Sequence, residues 1–343
     1  MRAEVAALAR EVAMIKLKKI LVATDHSPQA RWAENRAAML SVELTADLLD
    51  IMSMPGTLKT SPCSLALTNE KSGGAISLDM LLHERKLAGS TTSIASQPVC
   101  TRSTATSKPV TAMLERAKEL AADLTVVAAK KRTTMVNFFT CQTNSELIRQ
   151  SDRPILLVNS QSQAPYSRII VAIDFSEHSR EAALIALAVA PTAYFTFLNA
   201  CHVTNEGIMR EAGITNEVIN KYRDKACEKA RTRLNQFIDD LGPRTELIAR
   251  AIQYGFPVPV ICDRAKRLNA DLIVIGKHGT SRLHELLLGS VAQRLIDHTT
   301  CDLLVVATPR RLCRENPLQR EKAERKLGAP HAGDNETFIS TGK

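Results

Sequence analysis

Aromatic residues make up only 4% of this 343-residue chain, with a single tryptophan at Trp32. A core of ordinary size must therefore be aliphatic, as in parallel sheets covered by helices on both faces. Metal-finger and redox spacings are also missing. The eight cysteines (Cys63, Cys100, Cys141, Cys201, Cys227, Cys262, Cys301 and Cys313) include no CxxC pair and read as scattered reduced thiols. No apolar run reaches membrane-spanning length, and Glu4, Arg10 and Glu11 interrupt any signal-peptide core near the start. The expected location is the cytoplasm, with no membrane partner. The formal charge of +9 is spread along the chain, concentrated only at Lys16–Lys19, Lys130–Arg132 and Arg310–Lys326. Without interleaved aromatics or a DNA-reading module, specific nucleic-acid binding is not expected.

What the chain does contain is a repeat. With 45% hydrophobic and 24% charged residues, its length suits about two domains. KKILVATD (Lys18 to Asp25) is a buried-strand pattern ending in an aspartate, followed by Ser27 as N-cap and Pro28 at the first helical position of a helix to about Ser41. The same arrangement returns in SRIIVAIDFSEHSREAALIALAVA (Ser167 to Ala190), which sets Asp174 opposite Asp25 and Ser176 opposite Ser27. Downstream, Ala122 to Arg132 matches Ala270 to Gly279, pairing Asp123 with Asp271 at an offset of 148, and Arg153 to Val158 matches Cys301 to Val306. A self-match of this length means two copies of one domain.

The second copy reads as strands at 168–174, 194–203, 245–251, 271–275 and 302–307. Helices are expected at 176–190, 215–241, 257–268 and 290–298. Such alternation predicts an α/β protein of two tandem doubly wound, Rossmann-like parallel-sheet domains. The expected boundaries are an N-terminal extension (1–15), a first domain (16–160), a second domain (165–308) and a charged, disordered tail (309–343). Between Pro55 and Pro109 periodicity is poor, and a shortened helix near Leu78 to Leu87 and a strand near Pro98 to Thr101 are expected there, with mobile loops between them.

The chemistry concentrates in DLIVIGKHGTSRLHELLLGS (Asp271 to Ser290). A buried strand stops at Gly276, Gly279 follows three residues on, and Gly289-Ser290 opens a helix whose apolar positions include Val291, Leu295 and Ile296. Glycines let backbone approach a ligand closely or take positive φ, and a helix N-terminus offers N–H groups to an anion. The stretch is thus a candidate phosphate cradle. It is neither a GxxxxGK[ST] loop nor a GxGxxG fingerprint, and the chain holds no GxSxG elbow. The spacing G-x2-G-x9-G-[ST] resembles the nucleotide-binding motif of the ATP-binding branch of the universal stress protein family, whose fold is adenine nucleotide alpha hydrolase-like.

That resemblance implies roles. Asp174 would bond the base or ribose end of ATP, and Ala200 would meet the adenine through its backbone. Gly276 and Gly279 would approach the ribose and phosphates, and Gly289, Ser290 and Val291 would give N–H groups to the phosphates, with Mg²⁺ accompanying the triphosphate. It further implies that the last strands, Ile155 to Val158 and Leu303 to Val306, pair as an intramolecular pseudo-dimer, and that the chain could also form a homodimer. At an offset of 147, the first copy shows Ala129 and Arg132 for the first two glycines and Gln142-Thr143 for Gly289-Ser290. Side chains there would block close approach, so one working site, in the second copy, is expected. Asp174 has a plainer reading as a cap for the following helix. His278, His284, His202 and His298 fix no metal spacing. The alternatives to a binding protein in stress response are slow ATP hydrolysis or phosphoryl transfer with Ser290 as acceptor, or an interaction module that has lost its nucleotide.

Overall fold

The computed structural model describes residues 15, 17–25, 27–53, 99–104, 109–129, 138–161, 164–241, 247–279 and 288–307. All of the expected N-terminal extension but residue 15, the helix near Leu78 to Leu87, and the tail beyond Thr308 lie outside them. The first half contributes β1 (Lys19–Thr24), α1 (Pro28–Glu43), β2 (Leu48–Ser53), β3 (Val99–Thr104), α2 (Pro109–Glu119), β4 (Leu124–Ala128), α3 (Phe138–Gln150) and β5 (Ile155–Val158). The second contributes β6 (Arg168–Ala172), α4 (Glu177–Val189), β7 (Tyr194–Cys201), α5 (Glu206–Glu211), α6 (Asn216–Asp239), β8 (Ile248–Tyr254), α7 (Pro257–Leu268), β9 (Leu272–Gly276), α8 (Ser290–His298) and β10 (Asp302–Val306).

The ten strands among the described residues form one sheet in the order β3-β2-β1-β4-β5-β10-β9-β6-β7-β8. Each half is parallel and doubly wound, and only β5 and β10 run antiparallel, centred on Leu156 opposite Leu304. Ile155–Val158 and Leu303–Val306 are aliphatic, and both strands are at most 1% exposed. Left apart they would be two apolar edges; paired, each covers the other. The expected pseudo-dimer pairing is therefore present.

The repeated residues have a common purpose. Asp123 Oδ2 accepts the Lys18 and Lys19 N–H groups, each at 2.9 Å, and Asp271 Oδ2 accepts those of Ser167 and Arg168 at 3.0 and 2.8 Å. Each aspartate thus pins the start of its half's first strand. Ser27 Oγ caps Ala30 N and Ser176 Oγ caps Ser179 N, at 3.2 and 3.1 Å, starting α1 and α4 where the sequence expects them. On one sheet face α1, α4 and α6 bury Ala33, Ala37, Ala182, Ala186, Leu234 and Ile238 in a core that runs through both halves. On the other, α2, α3, α7 and α8 bury Met113, Leu147, Val260 and Leu295.

Two elements differ from expectation. The strand predicted at 245–251 is β8 at Ile248–Tyr254, which lies at the sheet margin with a mixed burial pattern, so its alternation marks its ends poorly. The helix α5 has no buried residue and hence no apolar stripe to announce it.

Candidate functional site

In an open doubly wound sheet, ligands sit beyond the carboxyl ends of the strands where their order reverses. In the second half that point lies between β6 and β9. Asp174 follows β6, and the glycine loop follows β9, so the two face the same crevice. Beside them β7 overhangs β6: the last β6 pair is Ala172 with Leu198, while β7 continues through Asn199, Ala200 and Cys201 paired only to β8. Ala200 therefore lies at the crevice wall with the β6 side of its backbone beyond the end of β6. Asn199 fixes the overhang by donating from Nδ2 to Ile173 O at 2.8 Å.

The three motif glycines meet different neighbours, and none has positive φ, which among the described glycines occurs only at Gly213 and Gly255. What they supply is room. A Cβ on Gly276 would lie 2.8 Å from the backbone carbon of His178 and 2.9 Å from its oxygen. Gly276 thus lets the first turn of α4, which follows Asp174, sit directly on the end of β9. A Cβ on Gly279 would stand 2.8 Å from Asp174 Oδ2. A Cβ on Gly289 would be 3.0 Å from Lys277 O and 3.8 Å from Gly279 N. Asp174, Gly279 and Gly289 consequently converge around one point.

The role expected of Gly289 changes in one respect. Its N–H donates to Lys277 O at 3.0 Å and so is directed at the loop rather than at a phosphate. Behind it, the N-cap of α8 is Gly289 itself, which has no side chain to cap the helix, and Ser290 is exposed. The Ser290 and Val291 N–H groups belong to the first turn, where no intrahelical acceptor exists. They carry the positive end of the helix dipole into the crevice. Residues 280–287, including His284, are not among those described.

Asp174 itself has two tasks. Oδ1 accepts the Ser176 N–H at 3.0 Å and the Ser176 hydroxyl at 2.5 Å, the capping role that the sequence also allowed, while Oδ2 lies over Gly279. His178 and His278 bring their rings to 5.0 Å between centroids. Burial lowers the His178 pKa against the pull of Asp174 and Glu177, with Lys277 adding to the lowering.

Lys277 was not singled out by sequence, since a lysine in a glycine loop reads as solvated. It is buried, and its Nζ donates to Arg149 O at 2.6 Å and Ser151 O at 2.9 Å, the carbonyls at the end of α3 in the other half. Its N–H donates to Val306 O at 2.7 Å. One residue thus ties the glycine loop to β10, to Gly289 and to the first half. Gln293 Nε2 on α8 adds a bond to Ser145 Oγ on α3 at 3.1 Å. The other histidines stand apart: His202 stacks on Phe256 at 6.0 Å, and His298 closes the last turn of α8. Among the described residues no group of three His, Cys, Asp or Glu side chains is placed to hold a metal.

The first half keeps the frame but carries other residues at the glycine positions, in a register one residue from that expected. Ala129 N donates to Val158 O as Lys277 N does to Val306 O, so Gly276 corresponds to Ala128 rather than Ala129. At that same offset of 148, Gly279 corresponds to Lys131, Gly289 to Cys141 and Ser290 to Gln142. The helix differs as well. Where α8 starts at Ser290, α3 starts at Phe138, so Gln142 is its fifth residue and has an intrahelical acceptor for its N–H. Asp25 keeps its cap, accepting the Ser27 N–H at 3.1 Å.

A sequence profile of the universal stress protein family matches residues 16–159 and 165–307. The chain is similar to universal stress protein MJ0531 of Methanocaldococcus jannaschii, 30% identical over 152 residues that cover 43% of this chain and 85% of that protein. It is also similar to universal stress protein Sll1388 of Synechocystis, 28% identical over 150 residues, covering 41% and 97% respectively. In fold it is similar to the functionally unknown protein PA1789 from Pseudomonas aeruginosa, with a TM-score of 0.53 at 16% identity, covering 90% of this chain and 99% of that one. A universal stress protein from Archaeoglobus fulgidus gives a TM-score of 0.50 at 13% identity, covering 86% and 100%.

Proposed function

The chain belongs to the universal stress protein family, and on that premise we propose that its second half binds one ATP while its first half acts as a non-binding pseudo-dimer partner. The observation that carries this reading is the convergence of Asp174, Gly279 and Gly289 beside the start of α8, whose N-cap is a glycine. In it the phosphates lie on the N–H groups of Ser290 and Val291, with the Ser290 hydroxyl alongside. Gly276 and Gly279 bring the loop against the ribose and phosphates, Asp174 bonds the base or ribose end, and Ala200 offers its backbone to the adenine. Gly289 contributes by keeping the loop close, its N–H being engaged by Lys277. Mg²⁺ would be held chiefly by the phosphates.

Binding, read out as a change in the protein's interactions under stress, is the function in this reading, and catalysis is not required. A further homodimer would use a surface other than the β5–β10 seam. The test is the nucleotide released by heat or acid from protein purified without added ligand, followed by titration of the stripped protein with ATP and GTP. Recovery of an adenine nucleotide, or saturable binding that prefers ATP, is expected. A folded protein that binds neither would leave the interaction module as the better description.

A further inference from the structure

Cys201 closes β7 and Cys227 lies midway along α6, and their sulfurs stand 2.7 Å apart. A disulfide bond measures about 2.05 Å, so closure requires less than an ångström of movement. The two thiols differ in surroundings. Cys201 is buried, with Sγ also 3.7 Å from Gln253 O, and burial together with the neighbouring thiol pushes its pKa up to about 12. Cys227, on α6, is only half-buried and is the more exposed residue of the two. Between them the chain is already gathered: Glu206 on α5 accepts from Arg210 at 3.0 Å and pairs with Arg223 of α6 and the Tyr254 hydroxyl of β8. Neither cysteine takes part in the crevice chemistry described above.

We propose that Cys201 and Cys227 form a peroxide-responsive dithiol, a modification site that closes to a reversible disulfide and fastens α6 to the carboxyl end of β7. Cys227 attacks the peroxide, giving its sulfenic acid and one water. The Cys201 sulfur then displaces the hydroxyl, which leaves with the Cys201 proton as a second water, so two thiols lose two electrons in all and the peroxide gains them. A dithiol reductant reverses the step by exchange. Ala200 directly precedes Cys201, so the bond also constrains the crevice wall. That coupling to nucleotide affinity rests on the function proposed above; the bond itself does not.

The experiment treats reduced full-length protein with hydrogen peroxide, alkylates it under denaturing conditions and maps its peptides without reduction. The expected product is a linked pair containing Cys201 and Cys227, with a mass loss of about 2 Da for the two hydrogens removed, restored by dithiothreitol. Cys262 and Cys301, whose pKa values burial also raises, serve as comparison thiols and remain alkylatable. In Cys227→Ser, with its circular dichroism unchanged, the linked pair disappears and Cys201 is recovered alkylated. Recovery of both Cys201 and Cys227 alkylated in oxidised wild type, or Cys227 stopped at sulfinic acid, overturns the proposal. ATP titration of the oxidised and reduced forms is the second readout. A difference lost in Cys227→Ser supports the coupling, equal affinities overturn the coupling alone, and no binding by either form counts against the nucleotide reading while the peptide map still decides the bond.

Discussion

A methyl group added at Gly276 and one added at Gly279 meet obstacles of different kinds, and the difference separates folding from binding. At Gly276 the obstacle is the His178 backbone at 2.8 Å, which cannot yield without moving α4. Gly276→Ala is expected to lower stability by about 1–3 kcal/mol, the usual cost of overpacking, and chemical denaturation measures it. At Gly279 the obstacle is the end of one side chain, Asp174 Oδ2. Gly279→Ala should change stability by no more than about 0.5 kcal/mol and weaken ATP binding by displacing that carboxylate; equal loss of stability in both variants would refute the distinction. His178 adds a pH effect. Its folded-state pKa lies below the ordinary 6.5, so the unfolded chain takes up its proton first as the pH falls. This contribution is therefore complete above about 6.5 and declines below it, and a melting series from pH 7.5 to 5.5 should show a shallower acid decline in His178→Gln. The glycine spacing was legible as a motif, but its reason was not. Sequence suggested positive φ or ligand approach, whereas at Gly276 and Gly289 the close neighbours are the backbones of His178 and Lys277, which only the folded chain brings together.

Elements, rather than single residues, carry the contact between the site and the other half. The glycine loop, α8 and α3 are joined by Lys277 Nζ on the Arg149 and Ser151 carbonyls and by Gln293 on Ser145. Lys277→Met leaves those carbonyls without their charged donor at a cost of about 1.5–3 kcal/mol. Loosening of the Lys277 backbone, which accepts the Gly289 N–H, should then weaken ATP binding as well. Calorimetry on the variant at a temperature where it remains folded checks this, and wild-type affinity would show that the tether does not set the loop. Strand and helix alternation in the second half was readable from buried aliphatic runs and the Ser176 cap. The short α5 was not, having no apolar face, and β8 slid by three residues because a margin strand alternates weakly. Equally hidden was the early start of α3, which sets Gln142 four residues inside the helix whereas Ser290 opens α8.

The whole molecule is two copies of one domain fused through a single continuous sheet, and the sequence repeat already announced it. The seam was foreseeable from two apolar last strands; its polar lock was not. Asp302, fully buried, accepts from Tyr166 Oη at 2.7 Å and from Asn159 N at 2.9 Å and lies 3.4 Å from Arg36 Nε, while Arg36 also donates to Ala164 O. One cluster therefore joins α1, the segment between the halves and β10. Asp302→Ala strands a buried guanidinium and should cost about 3–5 kcal/mol, lowering the unfolding midpoint of the chain as one cooperative unit. Two separate transitions would mean that the halves fold independently.

The asymmetry between the halves is the central claim, and calorimetric titration of the stripped full-length protein with ATP tests it most directly, with Gly289→Asp alongside. One site per chain in the wild type and none in the folded variant is the expected result, because the aspartate brings bulk and negative charge against Lys277 O. Two sites per chain, or one that survives in Gly289→Asp, would contradict it.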